Sequence, residues 1–299
     1  MTAQRAAAAA RSATTLGTGS RRDRITGHVF LGFLLLSLAV GLVTLGALVV
    51  DVLIDGVPKL GKQLLLNPPS VNPEKAGARP AILASLYLGV LIIAFSVPLG
   101  VGTAVYLEEY ARKDRWYNRL LELNIQNLAA VPSIVYGILG LAFIVRGIGV
   151  GRVLLAGAII LTLVVLPTVI VASREAIRAV PDSIRQGAYA LGATKLQVVW
   201  RQVLPASIPG IATGSILSVS RGIGETAPLL LVGALTYVAV NPSLLGAYTA
   251  LPIQIFQWVA RPQDEFKFLA AGAIIVLLAM LLTLNAFAIW LRNRYQRKW

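Results

Sequence analysis

Residues 29–50 read VFLGFLLLSLAVGLVTLGALVV, 22 positions without a charged side chain. A helix of that length, rising about 1.5 Å per residue, spans the roughly 30 Å apolar layer of a bilayer. The stretch is also longer than the roughly 7–15-residue apolar segment of a cleaved signal peptide. Comparable runs follow at 81–107, 123–145, 153–173, 206–240 and 268–291. The run 206–240 is too long for one crossing and contains Arg221 and Glu225, which predicts a break inside it. The pattern predicts an all-α integral membrane protein with six transmembrane helices, at 29–53, 81–107, 123–145, 153–173, 206–240 and 268–291.

Composition points the same way. Hydrophobic residues make up 57% of the 299-residue chain and charged ones only 13%, where a soluble domain has about a quarter charged. There is no cysteine and a single histidine, His28. Disulfides, thiolate metal sites and the usual histidine-built metal or triad chemistry are therefore excluded, and no metal site is expected. The net charge of +14 is unevenly placed: with the N-terminus in the cytoplasm, 18 of the 27 Lys and Arg fall on the cytoplasmic side and 8 outside. Arg221 remains within the membrane. This positive-inside bias accounts for the basicity through orientation and contact with anionic lipid, without nucleic acid, and places both termini in the cytoplasm.

Residues 1–24, rich in Ala, Thr, Gly and Arg without apolar periodicity, read as a disordered cytoplasmic tail. The segment 54–80, with five prolines, reads as an irregular outer loop. Within it Gly56, Gly61 and Lys62 have the spacing of a phosphate-binding P-loop, but Gln63 stands where a magnesium-holding Ser or Thr is required. No nucleotide site is expected there. No stretch has room for a soluble domain of ordinary size, so any energy-converting domain is expected on another chain. Trp116, Trp258 and Trp290 lie near run ends and read as interfacial anchors.

The longest cytoplasmic loop, 174–205, continues the argument. Pro181-Asp182-Ser183 starts a helix that is competent to Leu191, Gly192 supplies a bend, and Pro205 with Pro209 marks re-entry into the membrane. A short helix, a turn and a second short helix are expected on the cytoplasmic face. Gln186-Gly187-Ala188, then Gly192, then Leu204-Pro205, resembles the "EAA" loop of ATP-binding-cassette importer permeases, with Gln186 for Glu and Gly187 for Ala. The resemblance implies the type I importer permease fold over 25–299. It also implies that Arg185, Gln186, Gly187, Ala188, Leu191, Gly192, Ala193, Thr194 and Lys195 form the coupling loop that docks in the ATPase.

Two further stretches narrow the family. Ala130-Val131-Pro132-Ser133-Ile134-Val135-Tyr136-Gly137 and Arg221-Gly222-Ile223-Gly224-Glu225-Thr226-Ala227-Pro228-Leu229-Leu230 resemble the phosphate-specific transport permeases, in particular their A-type subunit. That resemblance runs from about Pro80 to the C-terminus. It implies a multi-pass permease in the cytoplasmic membrane of a prokaryote, paired with a second, related permease subunit. Two ATPase subunits and an external phosphate-binding protein complete the machine. The chain itself then binds no cofactor and is no enzyme, since ATP and magnesium sit on the partner ATPase. The alternatives are a permease for another oxyanion such as molybdate or sulfate, and a self-contained channel or secondary transporter.

An ionisable pair inside an apolar run needs a partner or a water-lined cavity. Arg221 and Glu225 are four apart and share a helix face, where they can pair. Three roles are open to Arg221: an ion pair locking helices, a guanidinium lining an anion path, or a gate that opens when the pair separates. Ser218 and Thr226 are the neighbouring pathway candidates; Ser133 and Tyr136 can face the path with their hydroxyls, but the stretch is read chiefly through Pro132 and Gly137, which shape the helix. Gly210, Gly214, Ser218 and Gly222, each four apart, form a ridge that permits close helix packing.

Overall fold

In a lipid solvent every backbone polar group must be satisfied within its own segment, and the chain answers with helices. The structure, a computed structural model, describes residues 21–295 apart from 113, 233 and 235–237. Residues 1–20, most of the expected tail, lie outside the described residues. No strand occurs among the described residues. Two units are distinguished, divided between Asp51 and Val52.

The described part of the first unit is helix α1 (Arg21–Gly56), which continues into the second as far as Gly56. It begins inside the stretch read as tail. Its 29–50 stretch has no polar stripe, so its composition suits an apolar environment on every side.

The second unit contains α2 (Lys62–Leu66), α3 (Arg79–Val105), α4 (Trp116–Ala129), α5 (Ser133–Gly140) and α6 (Leu154–Arg178). It continues with α7 (Asp182–Ala190), α8 (Lys195–Val198), α9 (Leu204–Gly224), α10 (Ala227–Val232), α11 (Leu251–Val259) and α12 (Asp264–Tyr295). Single π-wound turns extend α3 (Tyr106–Tyr110) and α5 (Leu141–Gly147) and join α8 to α9 (Val199–Val203). Among the described residues, five helical segments are long and apolar enough to cross a membrane, or six if one bent pair is taken as a single span.

The core lies between α3, α6 and α9, with Leu88 and Ile92, Leu161 and Val165, and Val219 and Ile223 buried together. The glycine ridge of α9 faces α6. A Cβ on Gly214 would lie 2.5 Å from Ala172 Cβ, and one on Gly210 2.7 Å from Ala176 Cβ. Where lipid removes most of the hydrophobic drive between helices, such close packing is what holds them.

Four features differ from the sequence reading. The run 123–145 is not a straight span: α4 and α5 meet at 101°. Pro132 lacks an N–H for the helix and disfavours helical geometry at Val131, so the ladder stops there. The Tyr136 hydroxyl donates to Leu128 O (2.8 Å) and braces the bend. Next, α6 continues through Arg178, and Lys195–Gly224 is one continuous helical segment, so the loop between them is shorter than 174–205. Pro205 and Pro209 sit inside that segment; the π turn directly before Pro205 adapts the ladder to the missing N–H.

Residues 57–78 form a folded cap rather than an irregular loop, in which Gln63 Nε2 donates to Pro73 O (2.9 Å) and Ala78 N to Leu64 O (2.7 Å). Finally, α11 is an element that hydropathy did not mark. Its Trp258 is 1% exposed and lies against Phe266, so it is a core residue and not an interfacial anchor. Trp116 and Trp290 are exposed.

Candidate functional site

The two helix interruptions meet. Glu225 leaves α9 in extended geometry (φ −70°, ψ 122°), and Thr226 O accepts from Leu230 N (3.1 Å) to start α10. The break therefore falls at Glu225-Thr226, beside two glycines and ahead of Pro228. Across from it stands the α4–α5 bend, held there because Gly137 lets α5 approach Pro228: a Cβ would come within 2.8 Å of Pro228 Cα.

Between the two lies a cavity of about 200 Å³, lined in part by Ala130, Pro132, Ser133, Thr168, Ser218, Arg221 and Glu225. At roughly 30 Å³ per water, it holds several waters or a small oxyanion. Val164, Val165 and Thr168 contribute from the middle of α6. By about 1.5 Å of rise per residue, this wall lies some 15–20 Å from either end of that helix.

Three side chains give the cavity its chemistry. Ser133 Oγ donates to Glu225 Oε2 (2.9 Å), tying the bend to the break. Arg221 Nε lies 3.8 Å from Glu225 Oε1, a loose pair, and its side chain is 78% exposed against 21% for Glu225. Ser218 Oγ donates to Gly214 O (2.8 Å). Of the sequence-predicted residues, Arg221, Glu225 and Ser218 line the cavity, and Thr226 instead stands at the start of α10. Thr168 was missed as a lining residue, and Ser133, weighed as a path-facing hydroxyl, was set below the helix-shaping role of its neighbours. Ser133 directly follows Pro132, and a hydroxyl beside a helix stop in an apolar run is the signal that favours it.

At the loop end, the fold divides the predicted coupling residues into two sets. Helix α7 closes with Gly192 at φ +79°, and Ala193 N donates to Ala188 O (3.1 Å) and Gly192 N to Tyr189 O (2.9 Å). This is the left-handed glycine cap that a tight helix stop needs. Thr194 then caps α8, its hydroxyl accepting from Gln197 N while Gln197 Oε1 accepts from Thr194 N (2.8 Å). Ala188 and Ala193 turn inward with Ile184 onto Ile177, Val180 and Val198. Gln186, Gly187, Leu191 and Gly192 face outward, with Leu191 90% exposed.

Arg185 also points inward. Lys195 Nζ lies 5.0 Å from the centre of the Tyr110 ring. The acids that receive the cations at the end of α6 were not among the sequence candidates: Arg174 pairs with Glu108 (2.8 Å) and Glu122 (2.7 Å), and Arg178 with Glu108 (2.8 Å). Two adjacent acids closing an apolar run opposite an arginine-rich loop are the signal for them.

An all-helical, membrane-spanning chain with an ionisable cavity at two facing helix breaks is a membrane transport subunit. The family of binding-protein-dependent transport system inner membrane components matches residues 96–299, more than half of the sequence, and the chain belongs to it. It has the type I ABC importer permease fold. Among its relatives, the probable ABC transporter permease protein YqgI of Bacillus subtilis is 30% identical over 92% of this chain and 98% of its own. The phosphate transport system permease protein PstA 1 of Mycobacterium tuberculosis is 33% identical over 74% of this chain and 73% of its own. An inward-facing structure of the MetNI methionine ABC transporter superposes with a TM-score of 0.58 at 16% identity, over 73% of this chain and 94% of that one. That likeness speaks for the fold.

Proposed function

We propose that this chain is the transmembrane subunit of an ATP-driven importer of inorganic phosphate, with Arg221 on the anion's path. The observation that carries the reading is the state of Arg221: a guanidinium far along an apolar helix, beside a cavity, left 78% uncovered by its own chain. A charge in such a place is tolerated against water or another protein, not against lipid. A guanidinium fork matches two oxygens of a phosphate. Glu225, held by Ser133, repels the same anion and keeps its stay short, as a path requires if it is to release what it binds. The likeness to a phosphate permease supports phosphate as the cargo.

The rest of the machine follows from this reading. The loop end and both termini face the cytoplasm, as the excess of Lys and Arg there supports. The outward face of α7 and its cap, Gln186, Gly187, Leu191 and Gly192, docks in an ATPase subunit, which holds the ATP and magnesium. A second permease subunit completes the path on the side where Arg221 is bare, and an external binding protein delivers the phosphate.

The test is reconstitution of Arg221→Gln with its partner subunits in liposomes, scoring phosphate uptake and ATP hydrolysis together. Uptake is expected to stop while the complex assembles and hydrolyses ATP. Normal uptake would remove Arg221 from the path. Stimulation of the wild-type complex by sulfate- or molybdate-charged binding protein, and not by phosphate, would replace the cargo.

A further inference from the structure

The π-wound turn Tyr106–Tyr110 that closes α3 presents Glu109 to Arg185 of α7. Glu109 Oε1 accepts from Arg185 Nη2 (2.9 Å) and Nε (3.2 Å). The same guanidinium donates from Nη1 to Val180 O (2.6 Å) and from Nη2 to Ile177 O (3.0 Å), carbonyls at the exit of α6. Asp182 adds a contact at 3.1 Å. Both partners are well covered, with Arg185 17% and Glu109 8% exposed. One side chain thus ties three elements: the end of α6, helix α7 and the turn after α3.

Two structural facts give this knot a mechanical meaning. Helix α7 has nine residues and no fully buried side chain, so it holds its place by few apolar contacts and is marginal by itself. Helix α3, in turn, touches the last turn of α9, because Gly89 admits Ile223: a Cβ there would lie 2.9 Å from Ile223 Cδ1. From α7, then, contact runs along three arms: through the end of α6, whose Val164, Val165 and Thr168 line the cavity, through α8–α9 to Arg221, and through Glu109 and α3 to Ile223, two residues from Glu225.

We infer that the Arg185–Glu109 pair is a strut that makes α3 move with α7, and that uptake per ATP depends on it. The inference rests on the reading of α7 as the place where an ATPase docks. Without the strut, a push on the outer face of α7 tilts a weakly held helix, and only α6 and the α8–α9 arm transmit it while α3 lags. Arg185 and Glu109 are positioning residues: neither lines the cavity. Lysine cannot replace the fork, since a single ammonium does not reach one carboxylate and two carbonyls in fixed geometry.

The experiment compares wild type, Glu109→Gln, Arg185→Gln and the double variant in the reconstituted complex. It reads ATP hydrolysis, phosphate uptake and their ratio. Each single variant is expected to keep ATP hydrolysis and to lower phosphate moved per ATP by about fivefold or more. The double variant is expected to be no worse than Arg185→Gln, because that substitution already removes the contact with Glu109. A normal ratio in Glu109→Gln, or additive losses in the double variant, overturns the strut. Should Glu109→Gln fail to accumulate, Glu109→Asp, which keeps the charge but shortens the reach, is expected to lower the ratio, and an unchanged ratio overturns the proposal equally. A wild-type chain that binds no ATPase at all defeats the functional reading itself, a result distinct from any of these.

Discussion

The cavity at the helix breaks and the charged cluster at the loop end use the same side-chain chemistry to opposite effect. At the breaks, Arg221 and Glu225 stand 3.8 Å apart, with the guanidinium bare and one serine bracing the carboxylate. At the loop end, Arg174 reaches Glu108 and Glu122 at 2.8 and 2.7 Å and is only 9% exposed. A close, covered pair resists rearrangement, since parting it strands a charge out of water. A loose, uncovered pair can exchange its partner for a passing anion at small cost. The distance between partners and their cover, more than the residues chosen, separates a brace from a binding site.

The contrast can be broken or sharpened by substitution. Arg174→Leu should have the largest effect, leaving Glu108 and Glu122 without their shared partner. A loss of about 3 kcal/mol is expected, the low end for a broken buried pair because Glu122 is partly exposed. Thermal unfolding of the purified chain in detergent measures it, and an unchanged midpoint would make the cluster no brace. Arg221→Lys should leave that midpoint alone and cut uptake roughly tenfold, as one charged hydrogen bond of the fork is lost. A stability loss in place of a transport loss would reverse the roles assigned to the two regions.

Smaller changes grade the difference. Ser133→Ala removes one donor to Glu225 and should cost about 1 kcal/mol, read as a severalfold change in the apparent phosphate affinity of the reconstituted complex. Arg178→Gln should be nearly silent in both assays. That guanidinium is 50% exposed, and exposed pairs contribute about 1 kcal/mol or less. A large effect there would mean that the cluster acts as one unit and not through Arg174.

Much of the fold could be read directly. The runs at 81–107, 153–173 and 268–291 became the helical segments Arg79–Tyr110, Leu154–Arg178 and Asp264–Arg294, and the left-handed Gly192 and the ridge from Gly210 to Gly222 did what their spacing implied. The bend at Pro132 was present as a residue but hidden in the average, because the hydropathy of 123–145 does not register a single missing N–H. Helix α11 was hidden for another reason: nine residues are too few to mark a span, and only the burial of Trp258 against Phe266 shows what they are for. At the site, Arg221, Glu225 and Ser218 could be found because charge or hydroxyl groups in an apolar run are rare. Ser133 could not be joined to Glu225, since 92 positions separate them.

The sequence alone therefore determined that the chain crosses a membrane as helices and where its charges interrupt the apolar runs. Those are local matters: backbone hydrogen bonds in lipid close within each segment, and transfer of a side chain depends on that side chain. The tertiary structure alone decided that two breaks face one cavity, that Arg185 turns inward to Glu109, and that Arg221 is left bare. These depend on which helix faces meet, and that is settled by packing between residues far apart in the chain, as where Gly214 admits Ala172 and Gly89 admits Ile223.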